Sequence, residues 1–145
     1  MSTAEIQKVN VQEVQREWLG RLTALVDAVE QWAQELGWST RRIEKRMEDS
    51  EVGSYQAPAL LMQEETTRAL LEPIGRSAPG ADGVVDLYLM PAYDDIASIY
   101  FANGAWHLLH TSVDSAHAPT SQVEAKPLSK ETLHDVLRAM RKHAA

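Results

Sequence analysis

His107, His110 and His117, with Asp114 between the last two, come nearest to a metal-binding set by residue type and spacing. Imidazole and carboxylate groups are ordinary ligands for zinc and related ions. On a strand, however, successive side chains alternate faces, so residues 107 and 110 point to opposite sides. This spacing therefore gives no metal site, and no other cofactor motif is present. The absence of cysteine removes thiol nucleophiles, cysteine metal sites and disulfides. The string Asp82-Gly83-Val84-Val85-Asp86 lacks the spaced oxygen donors and closing Glu of a calcium loop. Gly80 to Gly83 is too short and too acidic to cradle a phosphate.

A second constellation depends on register. Asn103-Gly104 favours positive φ at both positions of a type I′ hairpin turn. With that turn, Phe101 faces Trp106 and Tyr100 faces His107. Ala97, Ile99, Phe101, Trp106 and Leu108 form an apolar face, and Ser98, Tyr100, Ala102, His107 and Leu109 form the other. The preceding run alternates likewise, with Val85, Leu87 and Leu89 set against Asp86, Tyr88 and Met90. Placing Leu89 opposite Ala97 aligns the apolar faces and sets Asp86 opposite Tyr100, because a one-residue slip would turn Asp86 into the core. The expected polar face then carries the row Asp86, Tyr100, His107, with Tyr88 and Ser98 beside it. Such a row has the composition of a proton relay, histidine being the usual acid–base residue near neutral pH. It lies on a flat sheet, whereas active sites are concave, and no Ser has a base and oxyanion donors beside it. A small enzyme using His107 is therefore the third reading. The first is a non-catalytic protein-interaction or regulatory module built on Asp86, Tyr88, Tyr100 and His107, with Met90 and Tyr93 alongside. Aromatic residues and Met are enriched at interface cores.

These residues need a scaffold, and the pattern predicts an α+β domain over residues 1–145. Residues 1–9 read as a tail, 10–50 as a helical N-terminal part and 55–111 as an antiparallel sheet. Residues 112–128 read as a connector and 129–143 as a C-terminal helix. A four- or five-stranded sheet is expected, covered on one face by both helices. Asn10 and Glu13 form a capping-box-like start for a helix from about Val11 to Leu36. Its rows Val11-Trp18-Leu25-Trp32 and Leu22-Val29-Leu36 step by seven, as a coiled-coil seam does. Such a helix is ~39 Å long, against strands of ~20–23 Å. An overhanging apolar end centred on Trp18 is thus a second candidate surface, and a homodimer its expected partner. Gly37 is placed to end the helix.

Ser39 or Thr40 is then placed to cap a second helix running to about Asp49. The string Glu35-Leu36-Gly37-Trp38-Ser39-Thr40-Arg41-Arg42-Ile43 resembles the turn and recognition-helix start of a helix-turn-helix DNA-binding domain. On a helix, Arg41, Arg42, Lys45 and Arg46 would share a face. The resemblance implies a DNA-binding regulator as the alternative function. In outline, two helices on one face of an antiparallel sheet also resemble profilin-like adaptors.

Composition sets the bounds. The chain has 145 residues, 44% hydrophobic and 24% charged, enough for one packed core. A net charge of −7 argues against a general nucleic-acid binder. No apolar run reaches the ~18 residues of a membrane helix, and the N-terminus lacks the basic and apolar parts of a signal peptide. A cytoplasmic protein with a protein partner, and neither membrane nor cofactor, is the expectation.

Overall fold

A computed structural model describes residues 3–110 and 124–144. Helix α1 spans Thr3–Glu35. The strands are β1 Ser39–Asp49, β2 Gly53–Glu64, β3 Thr67–Gly75, β4 Val84–Leu89, β5 Asp94–Ala102, β6 Ala105–His110 and β7 Lys126–Pro127, and helix α2 is Lys130–Ala144. The strands form one antiparallel sheet in chain order, from β1 at one edge to β7 at the other. The α+β class stands, with seven strands among the described residues in place of the expected four or five.

Both additions have local causes. The stretch 39–49 is a strand, where a second helix was expected. Its helix-forming Arg, Glu and Lys residues sit on a sheet edge, where water reaches the side chains and charge is favoured. At the other edge, Lys126–Pro127 adds two residues to β6. The rest of the 112–128 connector, through residue 123, lies outside the described residues. Helix α1 also begins earlier than expected: Asn10 is inside it, and Thr3 to Val9 continue the helix where a tail was expected.

The end of α1 is fixed by its own backbone. Trp38 N–H donates to Ala33 C=O at 2.9 Å and Gly37 N–H to Gln34 C=O at 3.1 Å, with Gly37 at φ +93°. This is the Schellman arrangement, which satisfies carbonyls the last turn would leave unpaired. Trp38 then enters the core beside Ala33. Helix α2 starts at a cap as well, Ser129 Oγ accepting from Thr132 N–H at 3.2 Å while Thr132 Oγ1 accepts from Ser129 N–H at 2.8 Å.

One face of the sheet holds the main core. From α1 come Trp18, Leu22, Val26 and Val29, from α2 Leu133, Leu137 and Met140, and from the strands Leu60, Met62, Leu71, Leu87, Ile99 and Leu108. Both helices thus lie on the same side. Trp18 is completely buried, which corrects its expected place on an overhanging patch. Its indole N–H donates to Tyr55 Oη at 2.8 Å, and its ring lies against Gly83. The β1–β2 hairpin supplies the cover the argument from helix length omitted. Tyr55 and Leu60 are an odd number of residues apart yet both join this core, so β2 changes face between them, at Ala57-Pro58-Ala59. That turn brings Tyr55 and its partner Met47 over Trp18's end of the helix.

Candidate functional site

The other face of the sheet, called the outer face here, carries the aromatic and acidic residues. The hairpin β5–β6 forms with its expected register. Asn103 and Gly104 have φ of 54° and 77°, Phe101 pairs with Trp106, and Tyr100 pairs with His107. The Tyr100 and His107 rings stack at 5.2 Å between centroids, and His107 Nε2 lies 3.1 Å from Ala102 O. Phe101 and Trp106 are half-buried on the helix side, meeting edge-to-face at 5.2 Å.

Asp86 does not join that row. It pairs with Ser98, while Tyr100 faces Val84 across the β4–β5 ladder. The expected parity survives but the register is displaced by two residues, because Leu87 rather than Leu89 lies opposite Ala97. The cause is the β4–β5 corner, where the ladder shifts between Leu87 and Leu89 and both Tyr93 and Asp95 take positive φ. The corner is tight, and β5 begins already at Asp94, four residues after Met90. The Asp86-Tyr100-His107 relay is therefore dismantled, and with it the catalytic reading that needed Tyr100 as a go-between.

Asp86 instead belongs to a carboxylate pair. Its partner on β3 is Glu72, and like charges directly opposite are unfavourable unless other groups attend them. Tyr93 donates its hydroxyl to Asp86, and that bond, with some burial and the nearby Asp86 and Glu72 charges, pushes the Tyr93 phenol up to about 12. Tyr88 donates to Glu72 at 3.4 Å, and its phenol is also raised, by burial first and then by the Glu72 charge. Lys45 Nζ lies 3.5 Å from Glu72 and donates to Pro73 C=O at 3.0 Å. The Tyr88 and Tyr93 rings meet edge-to-face at 4.4 Å. A small apolar cluster of Ala59, Leu70 and Tyr88, with Leu61 and Met90, lies beside them.

Sequence reasoning put Leu109 and Met90 on this face with Tyr93 alongside, and missed Ile43 and Ile96. Ile43, Ile96 and Leu109 fall on it by strand alternation, and Tyr93 by its contacts; all four are among the exposed large hydrophobic residues. Glu72 was missed as well. The alternation of Ala69 and Leu71 with Arg68, Leu70 and Glu72 held part of this signal, but β1, and so Ile43 and Lys45, was hidden by its helical reading.

The four basic residues of the DNA-binding alternative stand on β1, not on a recognition helix. Strand alternation puts Arg41 and Arg42 on opposite faces. Arg42 is held by Asp27 and by Glu30, whose Oε1 is 3.0 Å away, and these carboxylates raise its pKa, Glu30 first. Arg46 has Glu48 at 3.9 Å. The shared basic face is thus absent.

His110 and Asp95 form a further pair on the helix side, Nε2 to Oδ1 2.7 Å, with side chains 7% and 4% exposed. His143 of α2 reaches Asp94 and Asp95 at 3.5 Å. This group fastens the end of α2 to the β4–β5 corner. Among the described residues no group of His, Cys, Asp or Glu is arranged to hold a metal ion, and no helix is long and apolar enough to cross a membrane. His117 and Asp114 lie outside those residues. Comparison with family models, curated proteins and solved structures finds no match.

Proposed function

We propose that the chain is a non-catalytic protein-interaction module whose binding surface is the outer face of the sheet. The observation that carries this reading is the exposure of Tyr93 at the β4–β5 corner, Ile96 on β5 and Leu109 on β6, with Met90, Tyr100 and His107 half-buried on the same face. Contiguous exposed apolar surface marks interaction sites, and Tyr and Met suit an interface core. Both helices pack on the opposite side, so they leave this surface uncovered. The Glu72–Asp86 pair adds a polar test of fit. With Lys45 as its nearest cation, the pair favours a partner segment that brings a Lys or Arg beside apolar side chains.

The test is selection of displayed random peptides on the intact chain, followed by affinity measurement against Ile96→Asp and Leu109→Asp. Both positions are exposed, so the variants should fold. Selected peptides should be rich in apolar and basic residues and lose about tenfold in affinity, ~1.4 kcal/mol, on either variant. Peptides that bind both variants as well as the parent would remove the outer face as the binding surface.

A further inference from the structure

Strand β1 is hydrogen-bonded to β2 along one side, and its other side has no strand neighbour among the described residues. It is 11 residues long, about twice the usual strand. A long open edge is a template for another strand. The sequence of β1 says which strand fits.

We propose that two copies of the chain join through their β1 edges, antiparallel about a two-fold axis at Lys45. Residues that face each other across an antiparallel pair turn their main-chain groups the same way, so facing residue numbers must have the same parity. Only registers centred on a residue are then allowed. Centred on Lys45, Arg41 faces Asp49, Arg42 faces Glu48 and Glu44 faces Arg46, each twice by symmetry, and Ile43 faces Met47. Centring on Glu44 sets Arg42 against Arg46 and Glu44 against itself. Centring on Arg46 sets Glu44 against Glu48 and Arg46 against itself. Centring on Ile43 sets Arg41 against Lys45 and leaves Glu48 and Asp49 without basic partners. The Lys45 register alone pairs every acid of the strand with a base.

Its single like-charge pair is Lys45 with itself, and the fold already attends to it. Lys45 Nζ is drawn across β2 to Pro73 C=O at 3.0 Å and to Glu72 at 3.5 Å. Arg41, Glu44, Arg46 and Glu48 are all exposed, while Arg42 already holds Asp27 and Glu30 and Asp49 Oδ1 accepts from Glu51 N–H and Val52 N–H, so the two symmetric Glu44–Arg46 pairs carry the choice of register. Exposed ion pairs add little energy one by one. Here they choose the register and the partner, while main-chain hydrogen bonds along the edge hold the copies together. Such a contact is isologous and closes on itself.

The experiment is sedimentation equilibrium of the intact chain across micromolar concentrations, with the variants Glu44→Arg and Arg46→Glu, alone, mixed and combined. The parent should dimerise, more weakly as salt rises. Each single variant sets like charges together at two symmetric places and should weaken the dimer at least tenfold. Mixing the two single variants should restore dimers of one copy of each, and the double variant should again pair with itself. Circular dichroism of each variant shows that it is folded, and the restored combinations keep the result readable if one single variant is poorly behaved. A parent that stays monomeric throughout overturns the proposal. So does a dimer indifferent to both single substitutions, or single variants that fail to complement each other when mixed.

Discussion

Tyr93 lies at the β4–β5 corner with its hydroxyl on Asp86, and its titration reports whether that contact exists in solution. The Asp86 carboxylate holds the phenol neutral up to about 12, against an ordinary value of 10.0. Below pH 10 the phenol is neutral in both folded and unfolded chains. Between there and about 12 only the unfolded chain ionises it, so this stabilisation is present below that window and lost as pH rises through it. Ultraviolet titration of the phenolates should show a late-ionising tyrosine that disappears in Tyr93→Phe. In Asp86→Asn the Tyr93 transition should fall back toward 10. An unchanged Tyr93 transition in Asp86→Asn would mean that the hydroxyl and the carboxylate are not bonded. At this scale the sequence was partly legible. Tyr88, Tyr100 and His107 could be put on one face because parity follows from the apolar alternation of β4, β5 and β6. The neighbours of Asp86 could not be found, because parity does not fix register by itself. The two-residue displacement comes from backbone conformation at Tyr93 and Asp95, and neither is a residue whose type announces positive φ as Gly does.

Among the elements, α1 makes a very close approach to the chain just before β4. Gly83 precedes β4, and a Cβ placed on it would lie 2.5 Å from Trp18 Cζ3 and 2.9 Å from Cη2. Both groups are in the interior, where packing tolerates little added volume. Gly83→Ala should therefore destabilise the fold by about 1–3 kcal/mol, read as a lower urea midpoint at unchanged slope. In a Trp18→Leu background, where the indole is gone, the same Gly83→Ala change should cost much less. Equal costs in the two backgrounds would place Trp18 away from Gly83 and reopen its expected position at an exposed end of the helix. The elements also show where pattern reading fails. Gly37 was readable as the stop of α1 because a left-handed residue there completes a Schellman motif. The hairpin at Asn103-Gly104 was readable because its turn requires positive φ twice. Strand β1 was not, since only Met47 of its residues is buried. With its side chains in water there is no alternation to read, and the propensities of Arg, Glu and Lys point to a helix. Pairing with β2 overrides them.

For the whole molecule, the arrangement of charge bears on the expected absence of DNA binding. Affinity for DNA comes largely from cations placed along the phosphates and free to release counterions. The net charge is −7, so binding would require a local basic patch. The four cations that suggested one are spread over two faces of a strand, and three have acidic neighbours: Arg42 with Asp27 and Glu30, Lys45 with Glu72, Arg46 with Glu48. A phosphate approaching Arg42 would have to displace two carboxylates of α1 that already face it. Titration of a labelled DNA duplex at low salt should accordingly show no saturable binding. The opposite outcome is equally well defined. Saturable binding that weakens steeply with salt, and is abolished by Arg41→Ala together with Arg42→Ala, would show that β1 reads a phosphate backbone despite these carboxylates. The edge strand would then be a nucleic-acid surface, and the outer-face interaction reading would give way to a DNA-binding regulator.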